Sequence, residues 1–185
     1  MPAQETAELT IQERGILGSS AAAASLDHFS KSDRRVVSML PQPNLVDRQR
    51  TYYSAGQPFV IAWQDYGQPL PAWFDFLMQG LVDLLTLPPN WDSYDARPIE
   101  YDLVQQALQF TNGVLRPFSP APSVVPLSSG GLQLEWHRKG IDLEIVFDQD
   151  AQPFFCWQDR VSGEESEHAL PQDEPLLRSI LARLE

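Results

Sequence analysis

Glu135, His137, Asp142 and Glu144 lie close together in LQLEWHRKGIDLEIVF (132–147). Two carboxylates beside a histidine suit a hard or borderline metal ion. A carboxyl pair can also divide general acid and general base between them. Lys139-Gly140 reads as a two-residue hairpin loop, which sets Arg138 opposite Ile141, Trp136 opposite Leu143 and Leu134 opposite Ile145. The same register puts His137 opposite Asp142 and Glu135 opposite Glu144. Directly opposed carboxylates repel unless solvent, a partner's Lys or Arg, or a metal compensates. Three readings stay open for this face: solvated polar surface, docking surface for a basic partner, or metal-binding or catalytic centre. His137 pairs most simply with Asp142, and its titration near neutral pH would make partner binding pH-sensitive.

NWDSYDARPI (90–99) is the second chemistry-bearing stretch, with two aromatics, two aspartates and a serine between Pro89 and Pro98. Asx and Ser side chains bond nearby backbone in turns, and Trp and Tyr each offer an apolar body with one polar tip. Asn90, Trp91, Asp92 and Tyr94 therefore form an expected structural clasp, with Trp91 covering a helix pair and Asp92 tying down loop amides. The competing reading is an acidic site built on Asp92 and Asp95. No histidine, cysteine or glycine-rich loop lies nearby in sequence to complete it.

The elements that hold these stretches follow from periodicity. PAWFDFLMQGLVDLLTL (71–87) places Trp73, Leu77, Leu81 and Leu84 on one helix face, with Pro71 near its start and Pro88-Pro89 as its stop. A second helix over about 98–115 carries Ile99, Leu103, Ala107, Phe110 and Val114 at steps of three and four. RPFSPAPS (116–123) is a stiff connector. Strands follow at 123–127, 132–138, 141–147 and 153–159, with a short fifth at 165–170 and turn-forming residues between them. The chain closes in a helix burying Leu176, Leu177, Ile180, Leu181 and Leu184. Nearer the start, FVIAW (59–63) is a strand after a turn at Gly56. Residues 1–46 include the low-complexity GSSAAAAS (18–25) and read as weakly ordered. The expected fold class is α+β: an antiparallel sheet of about four to five strands with helices packed on one face, preceded by a partly extended N-terminal arm. The expected division is an arm over 1–50 and a single α+β domain over 51–185.

LPPNWDSYDARPI, a helix, and then PAPSVVPLSSGGLQLEWHRKGIDLEIVF together resemble a recurring domain of small bacterial proteins. There an NWDSYGA-like turn precedes a helix and a GG…W…LEI hairpin. The resemblance covers about residues 82–170, roughly half the chain. It implies a shared fold and carries no activity, so it gives no residue a catalytic role. Residue 95 is Asp where that turn carries Gly.

Composition narrows the function. The 185 residues bear a net charge of −12, and residues 1–60 are neutral. Residues 61–185 hold seven Lys/Arg against 19 Asp/Glu, so the whole excess lies there. Such a surface repels phosphates and anionic membranes and attracts basic proteins. The only basic grouping, Arg34-Arg35 with Arg48 and Arg50, reads as the polar side of the arm. The single cysteine, Cys156, excludes a disulfide scaffold and reads as a buried, inert thiol. His168 reads as solvated. The opening MPAQETAELT lacks a signal-peptide layout and no apolar run spans a bilayer, so the expected compartment is a bacterial cytoplasm. No phosphate loop, dinucleotide fingerprint, metal-binding helix or nucleophile elbow is present, and no cofactor is implied.

The expectation is a non-enzymatic acidic protein-interaction module, an accessory or inhibitory, antitoxin-like subunit of a bacterial complex. Glu135, His137, Asp142 and Glu144 would bind a protein partner with a basic surface, with no direct contact to nucleic acid or membrane and homo-oligomerisation left open. The alternative is a carboxylate/histidine metal-dependent enzyme using the polar face of the 132–147 hairpin.

Overall fold

The structure, a computed structural model, describes residues 9–13, 46–65 and 69–185. Most of the expected arm, including Arg34 and Arg35, lies outside the described residues.

Strand β1 (Leu9–Glu13), β2 (Val46–Ser54) and β3 (Gln57–Asp65) form a small antiparallel sheet in the order β1-β3-β2. β2 and β3 are a hairpin whose two loop residues, Ala55 and Gly56, both have positive φ. That backbone matches the right-handed twist of the paired strands. FVIAW is a strand, as its composition predicts. Its partner β2 is harder to see, because only Tyr52 and Ser54 of VDRQRTYYS are buried. Residues 46–50, read from sequence as arm, are paired within β2.

Helix α1 (Phe74–Leu85) buries Phe74, Leu77, Met78, Leu81, Val82 and Leu84, the stripe that the sequence predicts. It packs against β2 of the small sheet and against the first strand of the larger one. Helix α2 (Tyr101–Val114) starts three residues later than periodicity suggests, because Glu100 still has extended backbone (ψ 149°). Its buried Thr111 hydroxyl donates to the Ala107 carbonyl at 2.6 Å, which satisfies a polar group inside the core.

The larger sheet is an antiparallel meander: β4 (Ser123–Pro126), β5 (Leu132–Arg138), β6 (Ile141–Asp148), β7 (Ala151–Asp159) and β8 (Glu165–Ala169), paired in chain order. The β5–β6 register matches the one set by the Lys139-Gly140 loop, and both loop residues have positive φ. Leu132, Leu134, Trp136, Leu143, Ile145 and Phe147 consequently share one face, and all are buried. Burial of each such side chain is worth roughly 1.5–3 kcal/mol. Helix α3 (Glu174–Leu184) adds Leu177, Ile180, Leu181 and Leu184 to the same core. The fold is α+β, with helices covering one face of an antiparallel sheet. No helix among the described residues is long and apolar enough to cross a membrane.

Two indoles pin the proline-rich connector between α2 and β4. Trp73 Nε1 donates to the Arg116 carbonyl and Trp136 Nε1 to the Pro120 carbonyl, each at 2.8 Å. Gly80 in α1 lies so close to β4 that an added Cβ would sit 2.7 Å from Val124 Cγ2. Gly80→Ala should therefore lower stability by about 1–3 kcal/mol, although alanine is the better helix former. Adding Val124→Ala should recover part of that loss; chemical denaturation of the two variants checks it.

Candidate functional site

The expected partner-binding residues all lie on the face of the larger sheet that points away from the helices. The β4–β8 registers align Ser123, Glu135, Glu144, Cys156 and Glu167 in one cross-strand row. His137, Asp142, Gln158 and Glu165 form the next row. A shallow concavity of about 630 Å³ opens over both rows, lined by His137, Asp142, Glu144, Cys156, Glu165 and Glu167 among others.

Two side chains, His137 and Arg160, hold this part of the face together. His137 bridges two carboxylates, with Nδ1 2.6 Å from Asp142 Oδ1 and Nε2 3.2 Å from Glu135 Oε2. Glu135 also accepts from Gln133 Nε2 at 2.9 Å. The Arg160 guanidinium donates to both oxygens of Asp142. Arg160 reaches that place because its amide donates to the Gly140 carbonyl, which folds the end of β7 against the hairpin loop. The bond from Arg160 is the main reason that the Asp142 carboxyl is held down at about 2. The bonds to Asp142 and then Glu135 raise the His137 imidazole above its ordinary range.

The structure thus divides the four residues. His137, Asp142 and Glu135 are joined in one network with Arg160, while Glu144 stands beside it. Among the described residues no cation pairs with Glu144, Glu165 or Glu167. Among those residues, no group of three or more His, Cys, Asp and Glu is placed to hold a metal ion. Cys156 is on this polar face and half-buried, since its neighbours Phe155 and Trp157 take the core side of β7. Burial, then the nearby Glu167 and Glu144, push its thiol pKa up, which keeps it protonated and unreactive.

The NWDSYDARPI bend is a clasp made largely by the side chains of Asn90 and Asp92. Asp92 Oδ1 accepts from the amides of Tyr94 (2.7 Å) and Ala96 (3.2 Å), and Oδ2 accepts from Ser128 Oγ at 2.5 Å. Asn90 Oδ1 accepts from the Asp95 amide at 2.8 Å. The Ser128 bond ties the bend to the β4–β5 turn and is the first cause of the lowered Asp92 pKa. Asn90, Ser93 and Asp95 all have left-handed backbone. Asp95 therefore adopts the conformation that Gly would take at that place, at a cost that Asp bears better than most residues. Trp91 is half-buried, and its indole N–H is buried without a partner among the described residues. Tyr94 contributes its amide only, because its side chain is 87% exposed. Asp92 and Asp95 do not meet the carboxylates of the sheet face through any bond, so bend and hairpin are separate.

Sequence reasoning passed over a second chain of bonds. Ser166 Oγ lies 2.8 Å from His168 Nε2, and His168 Nδ1 lies 3.2 Å from Asp173 Oδ2. The His168 ring stacks on Phe155. The contact order is that of an acyl-transfer relay, and here it fastens β8 to the N-cap of α3. Ser and His two apart on a strand share a face, which is the signal that was available; Asp173 comes into reach only through the turn after β8. No family model, curated protein or solved structure matches this chain.

The network sets two opposite pH dependences. The Asp142 pKa is depressed on folding, so its contribution is present above the unfolded value of 3.8 and disappears as pH falls toward about 2. The His137 pKa is raised, so its contribution is present below 6.5 and disappears as pH rises through the folded value. Arg160→Gln should move the Asp142 titration upward, and Asp142→Asn should bring the His137 titration down; side-chain NMR titrations read both directly.

Proposed function

We propose that this protein is a non-enzymatic, acidic protein-interaction module, an accessory or inhibitory, antitoxin-like subunit of a bacterial cytoplasmic complex. The observation that carries the reading is the outer face of the larger sheet, where Glu144, Glu165 and Glu167 have no cation among the described residues. Arg160 neutralises Asp142, whereas Glu165 and Glu167 meet only neutral donors, Gln158 Nε2 at 3.2 Å and Cys156 Sγ at 3.8 Å, and none of the three has a cation beside it among the described residues. The net charge of −12 adds a long-range pull on a basic surface. The metal-enzyme alternative finds less support, since Asp142 spends its oxygens on His137 and Arg160. A partner that copurifies at low salt should be lost on Glu144→Lys with Glu167→Lys, and its binding should weaken steeply with added salt. Retention through both changes defeats the reading.

A second reading rests on Ser166, His168 and Asp173, whose contacts match a nucleophile, base and orienting acid. A fluorophosphonate that reacts with activated serines should label Ser166 if the relay is reactive, and Asp173→Asn should abolish labelling. Unlabelled protein assigns the relay to fastening alone.

A further inference from the structure

We propose that β8 is the strand by which the protein takes up its partner: an extended basic segment of another protein, with Lys or Arg at alternate positions, adds to the free edge of the larger sheet. The proposal rests on the docking reading above and specifies its mode. β8 is the last strand of the sheet, and Glu165, Ser166, Glu167 and Ala169 are exposed. The phase of its ladder follows from two bonds at its ends. The Leu170 amide donates to the Pro153 carbonyl at 2.9 Å, and the Asp159 amide donates to the Glu164 carbonyl at 2.8 Å. Facing residues of an antiparallel pair alternate between bonded and non-bonded positions. Ser166 and His168 therefore turn their backbone groups toward β7, and Glu165, Glu167 and Ala169 turn theirs outward.

The other edges described in side-chain detail are closed. β4 ends in Pro126 and lies under α1 at Gly80. Along β2, Gln79 of α1 donates to the Tyr53 carbonyl at 3.0 Å, and Asp75 of α1 accepts from Arg50 and Tyr52. β8 has no proline within it, and the N-cap of α3 closes only its last residue, where the Asp173 amide donates to the Ala169 carbonyl at 3.2 Å; the outward backbone groups of Glu165 and Glu167 and the Ala169 amide have no such partner among the described residues.

Charge selects the occupant. A second copy of β8 laid on this edge would set glutamates against glutamates, and like charges directly opposite destabilise a pair. A strand with Lys or Arg at i and i+2 reverses the sign at both positions. Its long side chains lie beside Glu165 and Glu167 at the rim of the concavity. Backbone bonds supply the affinity of such strand addition and alternate side chains its specificity.

The test uses the full chain and a capped nonapeptide of alternating lysine and threonine at low salt. Amide hydrogen exchange at Glu165, Glu167 and Ala169 should slow, while exchange at Ser166 and His168 stays unchanged. Glu165→Gln with Glu167→Gln should weaken binding about five-fold, because exposed charge pairs are individually modest. The same peptide N-methylated throughout keeps every charge and should not bind. Equal binding of the N-methylated peptide, or unchanged exchange at the three outward amides, overturns strand addition and leaves docking by charge standing. Failure of both peptides to bind also overturns it, while the charge-reversed Glu144 and Glu167 variant independently decides the docking reading.

Discussion

The two-residue loop at Lys139-Gly140 governs the arrangement of the larger sheet. Side chains on a strand alternate between faces, so a slip of one residue would exchange the buried and exposed sets of β5 and β6. With the loop closed as observed, Leu132, Leu134 and Trp136 meet Phe147, Ile145 and Leu143 under the helices. The same pairing forces Glu135 onto Glu144 and His137 onto Asp142. The apolar core and the polar outer face are therefore two consequences of one register.

That register creates an electrostatic difficulty which the rest of the fold only partly resolves. Glu135 and Asp142 are compensated internally, by His137 on the same hairpin and by Arg160 from the end of β7. Glu144, Glu165 and Glu167 receive no such help among the described residues. Each unpaired carboxylate costs little while it is solvated. Together they lie beside an edge strand with outward amides, the surface on which the proposed cationic strand would add.

The bend at 90–99 belongs to a different part of the design. Its three left-handed residues are held by the Asp92 and Asn90 side chains, which add to the backbone bonds from the Ser93 amide to the Asn90 carbonyl and from the Asn90 amide to the Ala96 carbonyl. Through Ser128 and the Arg97–Asp150 pair, the bend is tied to two turns at one end of the sheet. It positions α2 against the core, where Phe110 meets Phe147 edge-on. Tyr94 resembles a core aromatic in sequence and is exposed, because a left-handed residue on either side of it turns its side chain out of the bend.

Much of the domain was legible before any coordinates. Helix stripes, the strand sequence from Ser123 to Ala169 and the β5–β6 register depend on local periodicity and turn chemistry, which act over a few residues. Fold class and the sidedness of Glu135, His137, Asp142 and Glu144 follow from them. What only the tertiary structure decided involves groups brought together by turns and by the packing of separate elements. Arg160 meets Asp142 because β7 folds back on the hairpin, Asp173 meets His168 through the turn into α3, and α1 closes the edge of a polar strand, β2, that has too few apolar residues to announce itself. A position's neighbours along the chain set its conformation, but its charge partners depend on how distant elements stack. Periodicity carries no information about that stacking.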